Sequence, residues 1–357
     1  MILYNFIIFI ISIILSLLVS LYIINRIEFK STKYNKENSQ VAIVDTNLIV
    51  SAGIPIFFTD QTFFKIARVP LDRFTSELKS YQEEKYFSFF VYNTDYLTDT
   101  IDQGECGACW AFSICNTLSD KISLFTEGKT KKLLSVQQIL GCFKEVTNGC
   151  DGYSPEKLVI WLNKNKIKLK TNEEIPYSQA NNLDIKDNCD ISIIGVGVQH
   201  DSVFSLTEWI EEINPDPTKL HNNINRMKYE LNSNGPFYSV MTVYEDLYNY
   251  NGLSVYKHTE GTNPVGGHAI EIIGYCNADI NNSEGYWICK NTWGQTWPLD
   301  SQVKNYFAIV MGKNECGIES RCGSFNPDYY TPKLDKKMFY TNIDDFKEDN
   351  QIGNILS

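Results

Sequence analysis

At 357 residues, with 43% hydrophobic and 13% aromatic content, the chain is long enough to bury a large core, and two domains or lobes are expected. A net charge of -11 argues against a nucleic-acid partner, because phosphates would be repelled. Ten cysteines are more than an ordinary cytosolic protein of this size carries, and they point to disulfides in an oxidising compartment.

Residues 2–24 carry no charge. As a helix this run can cross a hydrocarbon core roughly 30 Å thick. A cleavable signal peptide would prefer a basic start, a shorter apolar run and a small-residue cleavage site. The expectation is therefore a transmembrane anchor over residues 1–25, with secretion after signal cleavage as the alternative. Arg26, Lys30, Lys33 and Lys36 follow the run and would place the remainder in the cytoplasm. The cysteines argue for the opposite side: a lumenal, lysosome-like or extracellular domain. Residues 26–85 read as a linker or possible propeptide. They hold a polar stretch at Ser31–Gln40, a weakly alternating one at Val41–Val50, an aromatic cluster at Phe57, Phe58, Phe63 and Phe64, and a charged, helix-compatible run at Arg73–Lys85.

Gln103–Phe112 reads Gln-Gly-Glu-Cys-Gly-Ala-Cys-Trp-Ala-Phe. From Cys109 onward, apolar residues at Phe112, Cys115, Leu118, Ile122 and Phe125 have the spacing of a helix reaching about Phe125. Cys109 falls in its first turn, where backbone N–H groups and the helix dipole favour a thiolate. Gly104 and Gly107 let the backbone approach a substrate. A Cys-x-x-Cys pair is also compatible with a redox site or half of a zinc site, but no second such pair exists and neither alternative accounts for Gln103 and Trp110.

Further along, Thr171–Asn188 is polar and loop-like. Ile191–Val198, Phe237–Val243 and Ala269–Tyr275 read as strands, and Ser205–Glu212 and Asn222–Leu231 as short helices. Asn281-Asn282-Ser283 is a glycosylation sequon, meaningful only for a domain in a secretory lumen. Residues 324–357 form an acidic, aromatic tail. There is no internal repeat and no Walker, Rossmann or EF-hand pattern.

Of the four histidines, His200, His221 and His258 lie in polar surroundings. His268 follows Gly266-Gly267 at the start of an apolar strand, which would hold it in place as a general base must be held. One short connection later comes Trp287-Ile288-Cys289-Lys290-Asn291-Thr292-Trp293-Gly294. The Asn291 amide oxygen can accept from one imidazole nitrogen and leave the other toward a thiol, with Trp293 as a cover. A turn asparagine in an aromatic hairpin is the plainer alternative.

With segments in the order Gln/Cys, His, Asn, the chain resembles the papain-like cysteine proteases from about residue 86 to 323. The resemblance implies an α+β, two-lobed papain-like fold: a helical lobe, a β-barrel-like lobe and a cleft between them. It implies Cys109 as nucleophile, His268 as base, Asn291 as the residue orienting the histidine, and Gln103 as oxyanion donor. No metal or organic cofactor is implied, and the expected partner is a protein or peptide substrate. Leu134–Cys142 looks like the family's Leu-Ser-x-Gln helix, and Cys150-Asp151-Gly152 like its Cys-x-Gly-Gly segment. Those matches imply disulfides Cys106–Cys150 and Cys142–Cys189. Nine cysteines remain beside the nucleophile, so at least one of Cys115, Cys276, Cys289, Cys316 and Cys322 stays unpaired. Gly312–Ser320 and Gly266-Gly267-His268 lean toward the cathepsin B-like branch. The histidine pair of that branch's occluding loop is missing, which favours endopeptidase action. Tyr153 replaces a cleft-lining glycine and is expected to crowd a bound peptide. Gln295–Pro298 departs from the usual Trp-Gly, implying a rebuilt loop. A catalytically degenerate papain-like binding or structural membrane protein is the alternative reading.

Overall fold

The computed structural model describes residues 87–143, 145, 149–178, 195–200, 202–278, 284–301, 303–328 and 336–350. The expected anchor, linker or propeptide, Cys189 and the Asn281 sequon lie outside the described residues, as does much of the Thr171–Asn188 loop.

Strand β1 (Phe89–Tyr92) is buried along its whole length. Helix α1 (Cys109–Phe125) has the bounds expected from its apolar spacing. All 17 of its residues are buried, so it runs through the protein rather than over its surface. Its apolar stripe divides between two cores. Phe112, Cys115, Leu118 and Ile122 pack in the helical lobe, while Leu124 and Phe125 join the β-lobe core.

The helical lobe is completed by α2 (Val136–Cys142) and α3 (Pro155–Lys164). Ser135 and Ser154 cap them by accepting from the N–H groups of Gln138 and Lys157, and Pro155 starts α3 with the φ a first turn needs. Short strand β2 (Phe204–Ser205) precedes α4 (Pro217–Asn234), whose first turn is capped by Asp216 on Thr218 and Lys219 at 2.9 Å each. This last helix contains the expected Asn222–Leu231 segment and extends beyond it at both ends.

The β lobe is one antiparallel sheet built on β3 (Phe237–Tyr244) and β4 (Pro264–Cys276). Then follow β5 (Tyr286–Lys290), β6 (Tyr306–Val310), β7 (Cys322–Ser324) and β8 (Phe339–Tyr340). The order is β2-β7-β3-β4-β1-β8, with β5 pairing β4 and β6 pairing β5. Residues of the acidic tail return to the sheet: Tyr340 pairs with Val91, and Phe346 of α5 (Ile343–Asn350) packs on Phe89 with ring centroids 5.7 Å apart.

Two expectations fail. Ser205–Glu212 is not a helix, because its backbone groups bond elsewhere. Leu206 N–H donates to Cys322 O, and Glu208 N–H to the side chain of Asn223 on α4. The described end of Ile191–Val198 forms only isolated bridges, from Val196 to Leu169 and from Val198 to Pro327. One shift also matters: β4 begins at Pro264, so His268 sits inside the strand rather than at its start.

Cys106 and Cys150 are disulfide-bonded across a separation of 44 residues. Cys142 is disulfide-bonded as well, and its expected partner Cys189 lies outside the described residues. Cys109, Cys115, Cys276, Cys289, Cys316 and Cys322 are outside disulfides and buried.

Candidate active site

Cys109 opens α1 where the two lobes meet, and with Val240 and Ala269 it forms a small cluster apart from both main cores. Ala108, before the helix, makes no side-chain cap, and the first turn holds no acidic residue. Of the first-turn N–H groups, that of Ala111 returns to Ala108 O at 2.8 Å, and those of Cys109 and Trp110 reach the Cys109 sulfur. Burial pushes the Cys109 thiol up to about 12, against the pull of the Ala269, Trp110 and Cys109 N–H groups, which favour the thiolate. Ala269 follows His268 in the chain, so β4 brings the histidine's backbone within one residue of the sulfur's own hydrogen-bond partner.

His268 is 1% exposed and its Nε2 lies 2.6 Å from Asn291 Oδ1. An amide oxygen only accepts, so Nε2 carries the proton and Nδ1 is the ring's acceptor. Asn291 follows β5 directly, and its backbone N–H donates to Asn305 O at 2.6 Å. Trp293 lies over the His268 ring at 4.8 Å and stacks on Tyr248 at 5.3 Å, which keeps water off the His268–Asn291 bond.

Gln103 is fully buried. Its backbone N–H donates to Thr292 O at 2.9 Å, and its side-chain oxygen accepts from Thr292 Oγ1 at 2.6 Å. With the oxygen so engaged, the amide nitrogen faces the Cys106 turn and donates to Cys106 O at 3.0 Å. Three contacts thus involve the four residues singled out in the sequence: Cys109 with Ala269, His268 with Asn291, and Gln103 with Thr292.

Trp110 supports the helix start from behind, donating from Nε1 to Gly149 O at 3.0 Å, and Gly107 N–H reaches Cys150 O at 2.9 Å beside the disulfide. Tyr153 packs edge-on against Trp110 and Phe143, and its hydroxyl donates to Glu145 at 2.9 Å. The Gln295–Pro298 loop contains a cis Trp297–Pro298 bond. Trp297 is buried edge-on to Trp293 and Phe307, and its indole N–H donates to Leu247 O.

Sequence reasoning missed what lies beneath these contacts. Lys290, immediately before Asn291, is fully buried and donates to Asp120 Oδ2 at 2.7 Å and Thr98 O at 2.8 Å. Glu271, also buried, lies opposite Lys290 across β4 and β5, with its carboxyl 3.8 Å from the Lys290 ammonium. Burial works against the Lys290 charge, but Asp120 and Glu271 outweigh it and raise the ammonium's pKa. Burial, and next the Asp120 carboxylate, hold the Glu271 carboxyl well above the usual range. The cluster ties α1, β4 and β5, the three elements carrying or flanking Cys109, His268 and Asn291. Thr292 was likewise missed; a hydroxyl between the asparagine and the tryptophan was the available hint.

Residues 91–324 match the family described as papain family cysteine protease. The chain belongs to this family, and is a papain-family cysteine peptidase of cathepsin B-like kind. It is 31% identical over 253 residues to cathepsin B-like cysteine proteinase 5 of Caenorhabditis elegans, covering 64% of this chain and 69% of that one. It is 29% identical over 284 residues to cathepsin B-like CP3 of Giardia intestinalis, covering 76% and 87%. The fold is similar to that of proCathepsin B S9 from Trypanosoma congolense, with a TM-score of 0.59, 24% identity, and 83% and 92% of the two chains covered. It also resembles procathepsin L 3 of Tenebrio molitor larval midgut, with a TM-score of 0.56, 19% identity, and 84% and 86% covered.

Proposed function

We propose that Cys109 is the nucleophile of an endopeptidase, with His268 as its base, Asn291 as the residue that orients the base, and Gln103 as an oxyanion donor. The observation that carries this reading is the His268–Asn291 hydrogen bond, together with the contacts of the next residue after each: Ala269 with the Cys109 sulfur and Thr292 with Gln103. In the buried site the thiol alone holds its proton. Transfer of that proton to His268 leaves a thiolate beside an imidazolium, whose attraction adds to the three N–H groups already favouring the anion. The thiolate attacks the peptide carbonyl carbon. The oxygen that becomes negative is met by the Cys109 N–H and the Gln103 side-chain amide, a type of contact worth about 2.7–4 kcal/mol. His268 then protonates the leaving amine, and a thioester remains on Cys109. Water, deprotonated by His268, attacks the thioester; the acid product leaves and the thiol is restored.

Endopeptidase action is supported by the sequence between Cys106 and Cys189, which holds no histidine to grip a substrate's terminal carboxylate. Among the described residues no helix is long and apolar enough to cross a membrane. Our reading of residues 2–24 as an anchor rests on their uncharged length, and that of 26–85 as a linker or propeptide on their composition. The bonded cysteines support an oxidising compartment for the catalytic domain.

The test is a thiol-directed epoxide or vinyl-sulfone probe followed by peptide mapping, alongside an internally quenched peptide with a blocked C-terminus. Single-site labelling at Cys109 with cleavage of the blocked peptide is expected, and Cys109→Ala should lose both while keeping its fold. No labelling of the folded, reduced protein would favour a degenerate binding protein. Release of dipeptides only from free C-termini would overturn the endopeptidase assignment.

A further inference from the structure

In the β lobe, outside the candidate active site, a histidine, a carboxylate and a thiol converge. His258 lies in the connection from the 3-10 turn Glu245–Asn249 to β4, and Glu315 and Cys316 form the 3-10 turn Glu315–Gly317. Glu315 Oε1 accepts from the His258 backbone N–H at 2.9 Å and from its ring Nδ1 at 2.6 Å. Cys316 Sγ lies 3.8 Å from the same oxygen. One ligand atom from each residue falls within 4.8 Å of the other two.

Three properties make this more than an ion pair. Its donors are a thiol, an imidazole and a carboxylate, which together suit a borderline-soft divalent cation of the zinc class and not calcium or magnesium, whose ligands are oxygens. Carboxylates dominate the charge acting on the thiol: Glu315, Glu212 and Asp246 all bear on Cys316, and the Arg321 guanidinium interacts with Glu212. Among the described residues the only basic group within 4 Å of the Glu315 carboxylate is His258. Next in the chain from His258, the Thr259 N–H bonds the Asp246 carboxylate, and Glu212 takes the hydroxyl of Tyr244, on whose ring His258 stacks at 4.2 Å. The positions are also held before any ion arrives. The His258 ring is clamped between Glu315 and Tyr244, and Cys316 adopts a left-handed backbone (φ 53°) that a non-glycine residue takes only when its surroundings impose it. Cys316 is fully buried, whereas the His258 side chain is 31% exposed and gives a route from solvent.

We propose that His258, Glu315 and Cys316 bind a zinc-class divalent cation at a site distinct from the catalytic centre. Bonds of about 2.1 Å to nitrogen and oxygen and about 2.3 Å to sulfur set tetrahedral edges of roughly 3.4–3.6 Å. The sulfur–oxygen pair already stands near that value. The ion displaces the proton between His258 and Glu315 and that of the Cys316 thiol, both of which leave to solvent, and the His258–Glu315 pair opens from 2.6 Å by less than about 1 Å. Water takes the fourth position. Peptide hydrolysis makes no use of this ion, and the site stands whether or not Cys109 is the nucleophile.

The test uses the full chain as Cys109→Ser, so that metal on the proposed catalytic thiol is not mistaken for this site. Cobalt(II) titration should produce a thiolate-to-cobalt absorption band in the near ultraviolet, and zinc should raise the melting temperature, because the ion binds only the folded state. Both signals should vanish on adding Cys316→Ser. They should also vanish on adding His258→Phe, which keeps the ring stack on Tyr244 and decides the matter if the serine variant folds poorly. Absence of both signals in Cys109→Ser, or their survival in either double variant, would overturn the proposal.

Discussion

Cys109 and Cys115 lie six residues apart on one helix, both wholly buried, yet they are different chemical objects. Burial raises both thiols. At Cys109 three backbone N–H groups from two elements pull the other way. At Cys115, in the middle of α1 and packed in the helical core, nothing comparable opposes burial. The first turn of a helix has N–H groups to give, and its middle has spent them on its own carbonyls. The N–H groups that favour a thiolate therefore follow position along the helix and not exposure, and our proposal places the nucleophile at the one end of α1 where an anion is tolerated.

His268→Ala should break the comparison most strongly. Peptide hydrolysis is expected to fall by about 10²–10⁴. The alkylation profile tells more. Without the imidazolium, the thiol pushed up to about 12 ionises only in strong alkali. The alkylation rate at Cys109 should then rise about tenfold per pH unit with no plateau through the mildly alkaline range, as thiolate fraction dictates. The unaltered protein should level off at much lower pH. The same plateau in His268→Ala would mean the histidine does not pair with the sulfur.

Further along the helix, α1 holds charge by a different device. Asp120 has no helix terminus to lean on and is matched by Lys290, with Glu271 beside them. Lys290→Met should strand Asp120 in the core and cost about 3–5 kcal/mol, read by denaturant unfolding. Glu271→Gln should cost far less, because burial, and next Asp120, raise its carboxyl well above the usual range and favour the neutral form. A carboxyl raised in the folded state gives its full stabilisation below the ordinary carboxylate range and loses it as pH rises, since the unfolded chain releases the proton first. Glu271→Gln should therefore flatten the fall in stability between mildly acidic and neutral pH. An equal penalty for both substitutions would show that Glu271 is ionised. Between those two in size, Gln103→Ala should lower kcat by about 10²–10³ with little change in KM, the pattern of a contact made only as the oxyanion forms.

These cases separate what the chain discloses from what only folding reveals. Helix α1 was legible because its apolar spacing is local, and the segments of Gln103, His268 and Asn291 were legible because each has an unusual neighbourhood. The Cys106–Cys150 bridge followed from the family resemblance, and it closes a loop whose constraint on the unfolded chain is worth about 4 kcal/mol. The Asp120–Lys290 pair was not legible, because its halves lie 170 residues apart and a strand lysine reads as exposed. Ser205–Glu212 misled because helical spacing is silent about partners. Cys322 and Asn223 supply its backbone with hydrogen bonds from other elements, and the helix is not needed. The return of the tail to β1 was hidden for the same reason: an edge strand of two residues has no period to detect.

The smallest effect bears most directly on the two thiols. Cys115→Ala removes a sulfur from a packed core and leaves the hydrogen bonds of Gln103, His268 and Asn291 in place. The expected loss is about 1 kcal/mol, a fall of roughly 2–4 °C in melting temperature. Because Cys115 has no N–H groups to stabilise an anion, the folded protein should show the same alkylation rate and the same kcat/KM with or without it. Unfolding should erase the distinction, since both thiols then ionise near their ordinary value and label alike. A Cys115 that reacts in the native state, or a Cys115→Ala variant that loses activity while keeping its melting temperature, would mean that helix position does not separate the two cysteines.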